Sequence, residues 1–166
     1  MDTWLAIASR REVREYSSRD IPEDIVTTIL DAGRLAGSGQ NRQPWRFLLV
    51  ENDEARERLA DAVFEPGNVR GARLVVAILG RSSFDTGRCA QNMLLAAWNA
   101  GVGSCPNGQK DPEAARAALG LGDDDEIAIV LTFGYPAGER HPERRTPEEW
   151  SARADRRPLD DLVSRT

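Results

Sequence analysis

Lysine, histidine and cysteine are scarce in this chain. Among its 166 residues there are one lysine, Lys110, one histidine, His141, and two cysteines, Cys89 and Cys105. Two thiols and one imidazole do not make a zinc-binding pattern, and so few cysteines predict a reduced intracellular protein. Since arginine carries nearly all of the positive charge, a single arginine indicates little, and only clustered arginines suggest a site.

Long hydrophobic runs are also absent. No apolar stretch approaches the roughly 20 residues that a helix needs to cross a bilayer, and residues 1–4 lack the features of a signal peptide. These absences predict a soluble, cytoplasmic protein without a membrane partner. The net charge of -5 argues against nucleic acid as the main partner. A length of 166 residues fits a single domain, residues 1–166, with a hydrophobic core.

Segments with helical periodicity alternate with short apolar runs along the chain. This alternation predicts an α+β fold, in which a small mixed sheet is covered by four or five helices. The run 87–100, with Asp85 as its expected N-cap, has almost no polar face, which predicts a position in a core or a subunit interface. Pro66 and Gly67 are expected to break a helix. The longer helices are predicted over about 22–35, 52–63, 87–100 and 111–120, and short ones over 4–9 and after Thr146. Strands are predicted over 46–50, 74–79 and 127–133.

Residues 38–45, called the 38–45 turn below, are dense in polar side chains, and an apolar run follows them. Ser38, Asn41 and Gln43 can both donate and accept hydrogen bonds, as the alternating N–H and C=O edge of a flavin requires. A polar turn that leads into a buried strand is a common place for a ligand site. The alternative is that these side chains satisfy their own loop and that Trp45 anchors the core.

Arg10, Arg11 and Arg14 form an arginine patch where a predicted helix ends. Guanidinium groups bind phosphate or carboxylate through paired hydrogen bonds, and in helical geometry residues three and four apart would converge on one ligand. The alternative is a solvated basic face. Glu12 lies within the patch, and its carboxylate would be repelled by a bound phosphate.

Residues 101–108 are predicted to form a tight turn between a buried helix and the next element. Its glycines would let the backbone approach a ligand, with N–H groups facing an acceptor atom. Gly101 and Gly103 follow a helix and lack a third glycine, so they are not a dinucleotide-binding fingerprint. Cys105 has no histidine near it in sequence, and a lone cysteine is more often buried than catalytic.

These motifs together resemble the nitroreductase family of FMN-dependent oxidoreductases. The family's R-R-S-x-R run is matched by residues 10–14, where Glu12 replaces the usual small hydroxyl residue. Its A-x-S-x-x-N-x-Q-P-W turn is matched nearly in full by residues 36–45, at the spacing typical of the family. Weaker similarities cover the central helix at 91–97, the segment 103–105, the glycine-proline turn at 133–137 and the C-terminal basic motif at 156–159.

The resemblance implies a nitroreductase-like α+β fold with a mainly antiparallel sheet, assembled as an intertwined homodimer with two FMN sites at the subunit interface. The implied cofactor-binding residues are Arg10, Arg11, Arg14, Ser38, Asn41, Gln43, Pro106, Asn107, Gly108, Arg156 and Arg157. The arginines would hold the phosphate and ribityl end and the pyrimidine side of the flavin. The 38–45 turn would come from the partner subunit, and residues 106–108 would pass the reactive edge, with a backbone N–H pointing at N5.

The implied reaction is reduction of a small-molecule electron acceptor, such as a nitroaromatic or a quinone, with NADH or NADPH as electron donor. Flavin N5 carries the chemistry, so no side chain is expected to act as catalyst, no metal is expected, and ping-pong kinetics follow. Two alternatives remain open. One is other flavin chemistry on the same fold, such as reductive dehalogenation or flavin breakdown, and the other is a non-catalytic flavin- or nucleotide-binding module.

Overall fold

The computed structural model describes residues 1–81 and 83–166, which fall into two compact units: residues 11–139, and residues 1–10 with 140–166. The α+β class is confirmed. The helices are α1 Thr3–Ser9, α2 Glu23–Arg34, α3 Asp53–Asp61, α4 Pro66–Gly71, α5 Phe84–Asn99, α6 Pro112–Ala118 and α7 Pro147–Arg153. The strands are β1 Arg46–Leu49, β2 Leu74–Leu79, β3 Gly103–Asn107 and β4 Ile127–Gly134. Short 3-10 helices occupy Gly39–Asn41, Pro142–Arg144 and Leu159–Asp161.

The four strands form one antiparallel sheet in the order β1-β2-β4-β3. Arg46 at the start of β1 lies opposite Leu79 at the end of β2, so the 38–45 turn enters the sheet beside that end of β2. Within the described residues, parallel pairing occurs as an isolated bridge between Glu12 and Ser104. The predicted small, mainly antiparallel sheet is therefore confirmed.

The sheet separates two hydrophobic clusters, because successive side chains of a strand point to opposite faces. Val76 and Ile78 of β2 join the cluster formed with α2 and α5. Val75 and Ala77 join the cluster formed with α3, α4 and α6. All residues of β2 are buried, as its continuous apolar run predicts for a strand covered on both faces.

Side-chain caps determine where several helices begin. Asn52 Oδ1 accepts a hydrogen bond from the N–H of Ala55 at 2.9 Å and caps α3, as predicted. The expectation that Asp85 caps α5 is wrong, since the N-cap is Ser83. Ser83 Oγ accepts from the N–H of Thr86 at 3.3 Å, and Thr86 Oγ1 accepts from the N–H of Ser83 at 2.8 Å. This reciprocal pair satisfies two donors at the helix start, so the Asp85 carboxylate is not needed as a cap.

Helix α5 has two distinct faces, which differs from the apolar-all-round helix that the sequence suggests. Cys89, Met93 and Ala97 are fully buried against the sheet. Phe84 and Arg88 lie on the exposed side. The difference arises because one of the exposed positions is itself aromatic, so composition alone does not reveal the solvent face.

The predicted break at Pro66 and Gly67 is confirmed, since α3 ends at Asp61, before these residues. A further helix, α4, begins at Pro66, because proline is well suited to the first position of a helix. With α4 included, seven α-helices lie in the ranges 1–81 and 83–166, so the prediction of four or five is too low. Residues 103–107 form β3 rather than a tight turn, because they pair with β4 along their length. β3 is an edge strand, and an edge tolerates Pro106 because the missing N–H need not break a ladder bond.

In the smaller unit, α1 packs against α7. Asp2 Oδ1 accepts a hydrogen bond from the N–H of Leu5 at 3.0 Å and caps α1. Thr146 and Glu149 cap α7 reciprocally, with hydrogen bonds of 2.8 and 3.3 Å. None of the helices described is both long and apolar enough to cross a membrane.

Candidate functional site

The 38–45 turn has an unusual backbone. Gln40, Asn41 and Gln43 have φ angles of 54°, 55° and 47°. Left-handed backbone is uncommon outside glycine, and glutamine is not among the residues that tolerate it best. Strained residues of this kind cluster at ligand-binding sites, where the surrounding contacts hold them in place.

Two hydrogen bonds hold the turn in this shape. Ser38 Oγ accepts from the N–H of Gln43 at 2.8 Å, which closes the turn on itself. The N–H of Gly39 donates to Asp85 Oδ2 at 3.0 Å, which ties the turn to the first turn of α5. Asp85 therefore positions the turn instead of capping its own helix.

Gly80 supports the turn from behind. It follows β2 and has a φ of 129°, a region that residues with a side chain rarely adopt. A Cβ at this position would overlap the carbonyl oxygen of Pro44. The close approach of the two backbones thus requires glycine and fixes the end of the turn against the sheet.

The turn brings Ser38, Asn41 and Gln43 together, but in different surroundings. Ser38 is half-buried and shapes the turn, whereas the side chains of Asn41 and Gln43 are exposed. Gln43 Nε2 donates to the backbone oxygen of Asn41 at 3.3 Å. Exposed amide groups offer both donors and acceptors, so they suit a planar ligand with alternating polar atoms.

The arginine patch follows an extended backbone. Helix α1 ends before Arg10, whose ψ is 133°, and the N–H of Val13 donates to the carbonyl of Ser104 at 3.0 Å. The expectation that the three arginines converge through helical spacing is wrong, because the helical backbone stops where the patch begins. Arg10 is half-buried in the smaller unit, and in the larger unit Arg11 is half-buried and Arg14 exposed.

Glu12 acts electrostatically on the half-buried Tyr16 and the buried Cys105. Tyr16 Oη donates to the Thr132 carbonyl at 3.2 Å and lies 2.9 Å from its Oγ1. Burial raises the pKa of Tyr16, and the negative charge of Glu12 acts in the same direction. Burial also raises the pKa of the Cys105 thiol, again with a contribution from Glu12. Both groups stay protonated at neutral pH, so Cys105 lacks the thiolate that a nucleophile needs.

Residues 106–108 lie along the outer edge of the sheet. Asn107 is buried, with its Oδ1 accepting from the N–H of Glu65 at 3.1 Å and its Nδ2 donating to the Glu65 carbonyl at 2.9 Å. The carbonyl of Gly108 accepts from the N–H of Phe64 at 3.1 Å. The hydrogen bonds of residues 107 and 108 therefore connect this stretch to Phe64 and Glu65, and Pro106 has no N–H to offer.

The exposed ring of Phe64 flanks this edge. A Cβ on Gly108 would lie 3.4 Å from the Phe64 ring, which is an ordinary van der Waals contact. Phe64 is 67% exposed although it is a large aromatic residue. The Asn107–Glu65 hydrogen bonds therefore hold an aromatic ring beside the backbone of Gly108.

The remaining predicted arginines lie in the smaller unit. Arg156 and Arg157 follow α7, and both are exposed. Arg157 Nη2 donates to the Asp161 carbonyl at 3.1 Å. Across residues 1–81 and 83–166, no group of three or more histidine, cysteine, aspartate or glutamate side chains could hold a metal ion.

Sequence reasoning missed three residues that shape the site. Asp85 is interpreted as a helix cap in the sequence because aspartate is common at helix starts. Its hydrogen bond with Gly39 is not predictable from local sequence, because the two residues are far apart in the chain. Gly80 directly follows an apolar strand, and a glycine there is a usable signal for close backbone approach. Phe64 has no local signal, because its neighbour Gly108 comes from a different element.

Comparisons with known proteins identify the family of this chain. The Nitroreductase family model matches residues 7–83 and 80–135. A Methanothermobacter thermautotrophicus protein, provisionally named NADH dehydrogenase/NAD(P)H nitroreductase, is 30% identical over 90% of this chain and 88% of its own length. A Thermus thermophilus protein named NADH dehydrogenase is 27% identical over 90% of this chain and 94% of its own length.

The structural comparison extends over the whole chain. A Desulfovibrio desulfuricans protein, provisionally described as a nitroreductase and solved in complex with FMN, is 27% identical and superimposes with a TM-score of 0.81. The match covers 100% of this chain and 98% of that one. The family match includes the arginine patch, the 38–45 turn and β3, which are the segments that build the candidate site. The chain belongs to the nitroreductase family.

Proposed function

We propose that the protein is an FMN-dependent oxidoreductase that uses NADH or NADPH to reduce nitroaromatics, quinones or related small acceptors. Membership of the family supports the oxidoreductase class. The FMN in the D. desulfuricans structure supports the cofactor, and the names of the two relatives support a nicotinamide electron donor. A ping-pong order, in which the donor leaves before the acceptor binds, belongs to the same proposal.

The strained 38–45 turn is the observation that carries this proposal. It holds the amides of Asn41 and Gln43 at the surface, and Asp85 and Gly80 fix it from two other elements. Amides of this kind can pair with the alternating N–H and C=O edge of the flavin ring. Guanidinium groups are equally suited to its phosphate. The donor set of the chain therefore fits FMN.

The proposed FMN-binding residues fall into three groups by role. The phosphate, the ribityl chain and the pyrimidine side would be bound by the arginines, which are Arg10, Arg11, Arg14, Arg156 and Arg157. The polar edge of the ring would be bound by the residues of the turn, which are Ser38, Asn41 and Gln43. The reactive edge would lie along the residues at the end of β3 and just beyond it, which are Pro106, Asn107 and Gly108. When bound, FMN supplies hydride transfer at its N5 atom.

The edge of β3 supplies the hydrogen-bond donor that we propose for flavin N5. The backbone N–H of Gly108, just beyond the end of β3, would donate to that nitrogen. Asn107 contributes indirectly, because its buried amide holds Glu65 and thereby keeps Phe64 against Gly108. Phe64 would shield this edge from water on one side, which strengthens polar interactions there.

We also propose that the protein is a cytoplasmic homodimer and that the 38–45 turn serves the FMN site of the partner subunit. Leu30, Trp45 and Phe47 line an open cavity of about 450 Å³ beside the turn. Leu35 nearby in sequence is 65% exposed. Apolar surface next to a binding turn is what a second copy would cover. Both cysteines are free thiols, which suits a reducing compartment.

The visible spectrum of the purified protein tests the proposal most directly. We expect flavin absorbance, or stoichiometric binding of added FMN, and oxidation of NADH or NADPH in the presence of a nitroaromatic or quinone. Arg14→Ala should weaken FMN binding at least about tenfold through loss of a charge-assisted hydrogen bond. Arg58→Ala on α3 is the matched control and should not. A protein that neither contains nor binds FMN would contradict the proposal.

Glu12 favours one second candidate, a non-catalytic flavin-binding module. Its carboxylate lies in the arginine patch, at a position where the family's sequence pattern has a small hydroxyl residue. The negative charge would repel a phosphate and weaken its binding. Steady-state NAD(P)H oxidation separates the two candidates. Turnover with any acceptor excludes the module, whereas FMN binding without turnover supports it.

A further inference from the structure

A cavity of about 410 Å³ opens on the exposed side of α5, next to the 38–45 turn. It is lined by Gly37, Phe84, Gly87, Arg88, Gln91 and Asn92. The cavity adjoins the turn because Gly39 is hydrogen-bonded to Asp85 in the same part of α5. Its size is sufficient for a single-ring aromatic molecule.

Phe84 and Arg88 give this cavity its chemical character. Phe84 is 80% exposed, the highest exposed fraction among the large hydrophobic residues described. The Arg88 guanidinium lies one helical turn further, with its central carbon 5.5 Å from the centre of the Phe84 ring. An aromatic face beside a cation offers a stacking surface for a planar ring and a positive charge at its edge.

Gly37 and Gly87 make room for this arrangement. A Cβ on Gly37 would lie 2.6 Å from Arg88 Nη2, so a larger residue would push the guanidinium away. A Cβ on Gly87 would meet nothing within 4 Å, so the helix surface between Phe84 and Arg88 stays open. The backbone of the turn and the surface of α5 thus shape the cavity around Arg88.

Asp85 forms only a long ion pair with Arg88 and leaves the guanidinium N–H groups without a hydrogen bond to its carboxylate. Its Oδ1 lies 3.8 Å from Arg88 Nη1, which is too long for a hydrogen bond, and its Oδ2 accepts from Gly39. The Arg88 side chain is 45% exposed, so its N–H groups can reach a ligand in the cavity. Gln91 on the same face adds an amide that can donate a further hydrogen bond.

We propose that this cavity is an acceptor-binding subsite that selects planar aromatic compounds with an anionic substituent. The ring lies against Phe84, and the carboxylate or similar anion is bound by the Arg88 guanidinium. This inference rests on the proposed function, because it takes the 38–45 turn to be the border of a flavin site. It adds the class of substrate that the site prefers.

Two probes of the same shape test the charge preference: 4-nitrobenzoate, an anion, and 4-nitrobenzamide, its neutral counterpart. Their dissociation constants are measured by calorimetry on the purified protein with and without added FMN, and their kcat/KM values are measured with NADH or NADPH as electron donor. We expect the wild type to bind the anion about tenfold more tightly, as a charge-assisted contact predicts. Arg88→Gln should remove this preference and leave the amide unchanged, and Arg88→Lys should retain part of it.

Two further variants test the ring surface and provide a control: Phe84→Leu inside the cavity and Arg116→Gln outside it. Phe84→Leu should weaken both probes by a similar factor, since it removes the ring surface and not the charge. Arg116→Gln, on α6 and outside the cavity, should preserve the preference. Equal binding of the two probes by the wild type, or a preference that survives Arg88→Gln, would overturn the subsite while turnover of either probe still upholds the proposed function.

Failure of the proposed function has a different signature. Neither probe would then be reduced, whatever its affinity. The binding measurements would still decide the subsite, because an anion preference that depends on Arg88 supports it and a missing preference refutes it.

Discussion

Gly80 is the single residue on which the shape of the 38–45 turn depends most directly. Gly80→Ala should lower the free energy of unfolding by about 2–4 kcal/mol, because the new Cβ meets the Pro44 carbonyl and the φ of 129° disfavours any side chain. Urea denaturation measures the change. Gly71→Ala is the control, since its Cβ would meet nothing within 4 Å, and it should change stability by less than about 1 kcal/mol. Equal stability of the two variants would refute the interpretation that the close approach to Pro44 requires glycine at position 80.

The buried thiol of another single residue, Cys89, should make the stability of the protein depend on pH. Burial raises the pKa of its thiol from 9.0 to about 12. Because the unfolded chain releases this proton first, the stabilising contribution is complete below pH 9 and is lost as the pH rises from 9 towards 12. The wild type should therefore lose up to about 1.4 kcal/mol per pH unit more than Cys89→Ala in this range. Denaturation curves of the pair between pH 8 and 10.5 measure this, and identical slopes would contradict it.

The turn and α5 act together at the scale of elements, through the hydrogen bond from Gly39 to Asp85. Asp85→Ala should lower FMN affinity about tenfold, because the binding-competent turn then becomes a fraction of the population. The loss of global stability should be only about 1 kcal/mol, the value of one hydrogen bond. Asp85→Asn keeps an oxygen acceptor and should bind FMN nearly as the wild type does. Fluorescence titration with FMN compares the three proteins, and unchanged affinity of Asp85→Ala would show that the turn needs no such support.

β3 illustrates how element-level context decides local structure. Its sequence, with Gly103 and Pro106, predicts a turn, yet pairing with β4 makes it a strand. The same context sets the Phe64 ring beside Gly108. Local propensity describes a peptide in isolation, whereas an adjacent strand supplies hydrogen-bond partners that outweigh it.

For the whole molecule, mixing two defective variants tests the proposed sharing of sites between subunits. Arg14→Ala should damage the arginine side of a site, and Asn41→Ala the turn side. If the turn serves the partner's site, a mixed dimer contains one site with both defects and one intact site. When the two variants are unfolded and refolded together, random pairing makes half of the dimers mixed, and each mixed dimer has one intact site. FMN binding should therefore be restored to about a quarter of all sites.

Each variant alone provides the baseline for this mixing experiment. Sedimentation of the wild type should show a dimer, and the refolded wild type should recover full FMN binding. Recovery no greater than the mean of the two separate variants would place both groups of residues in sites of one subunit. A monomeric wild type would exclude a shared site altogether.

The sequence alone predicts much of the fold and the candidate site because the signals it relies on are local. Asn52 and Thr146 cap their helices within three residues, and the unbroken apolar run of β2 reflects burial on both faces. The 38–45 turn can likewise be predicted from the sequence, because its polar residues and Pro44 are neighbours in the chain. The similarity to the family extends these local patterns to a flavin site.

Only the tertiary structure decides the features that join distant segments. Asp85 holds Gly39, Gly80 lies against Pro44, and Phe64 flanks Gly108; each pair lies far apart in sequence and meets only through the sheet and α5. The extended backbone after Arg10 likewise depends on pairing with β3. Such contacts follow from packing and strand registration, which a single sequence does not encode in any local pattern. The sequence therefore determined which chemical groups this protein carries, and the fold determined where they are held and which of them face a ligand.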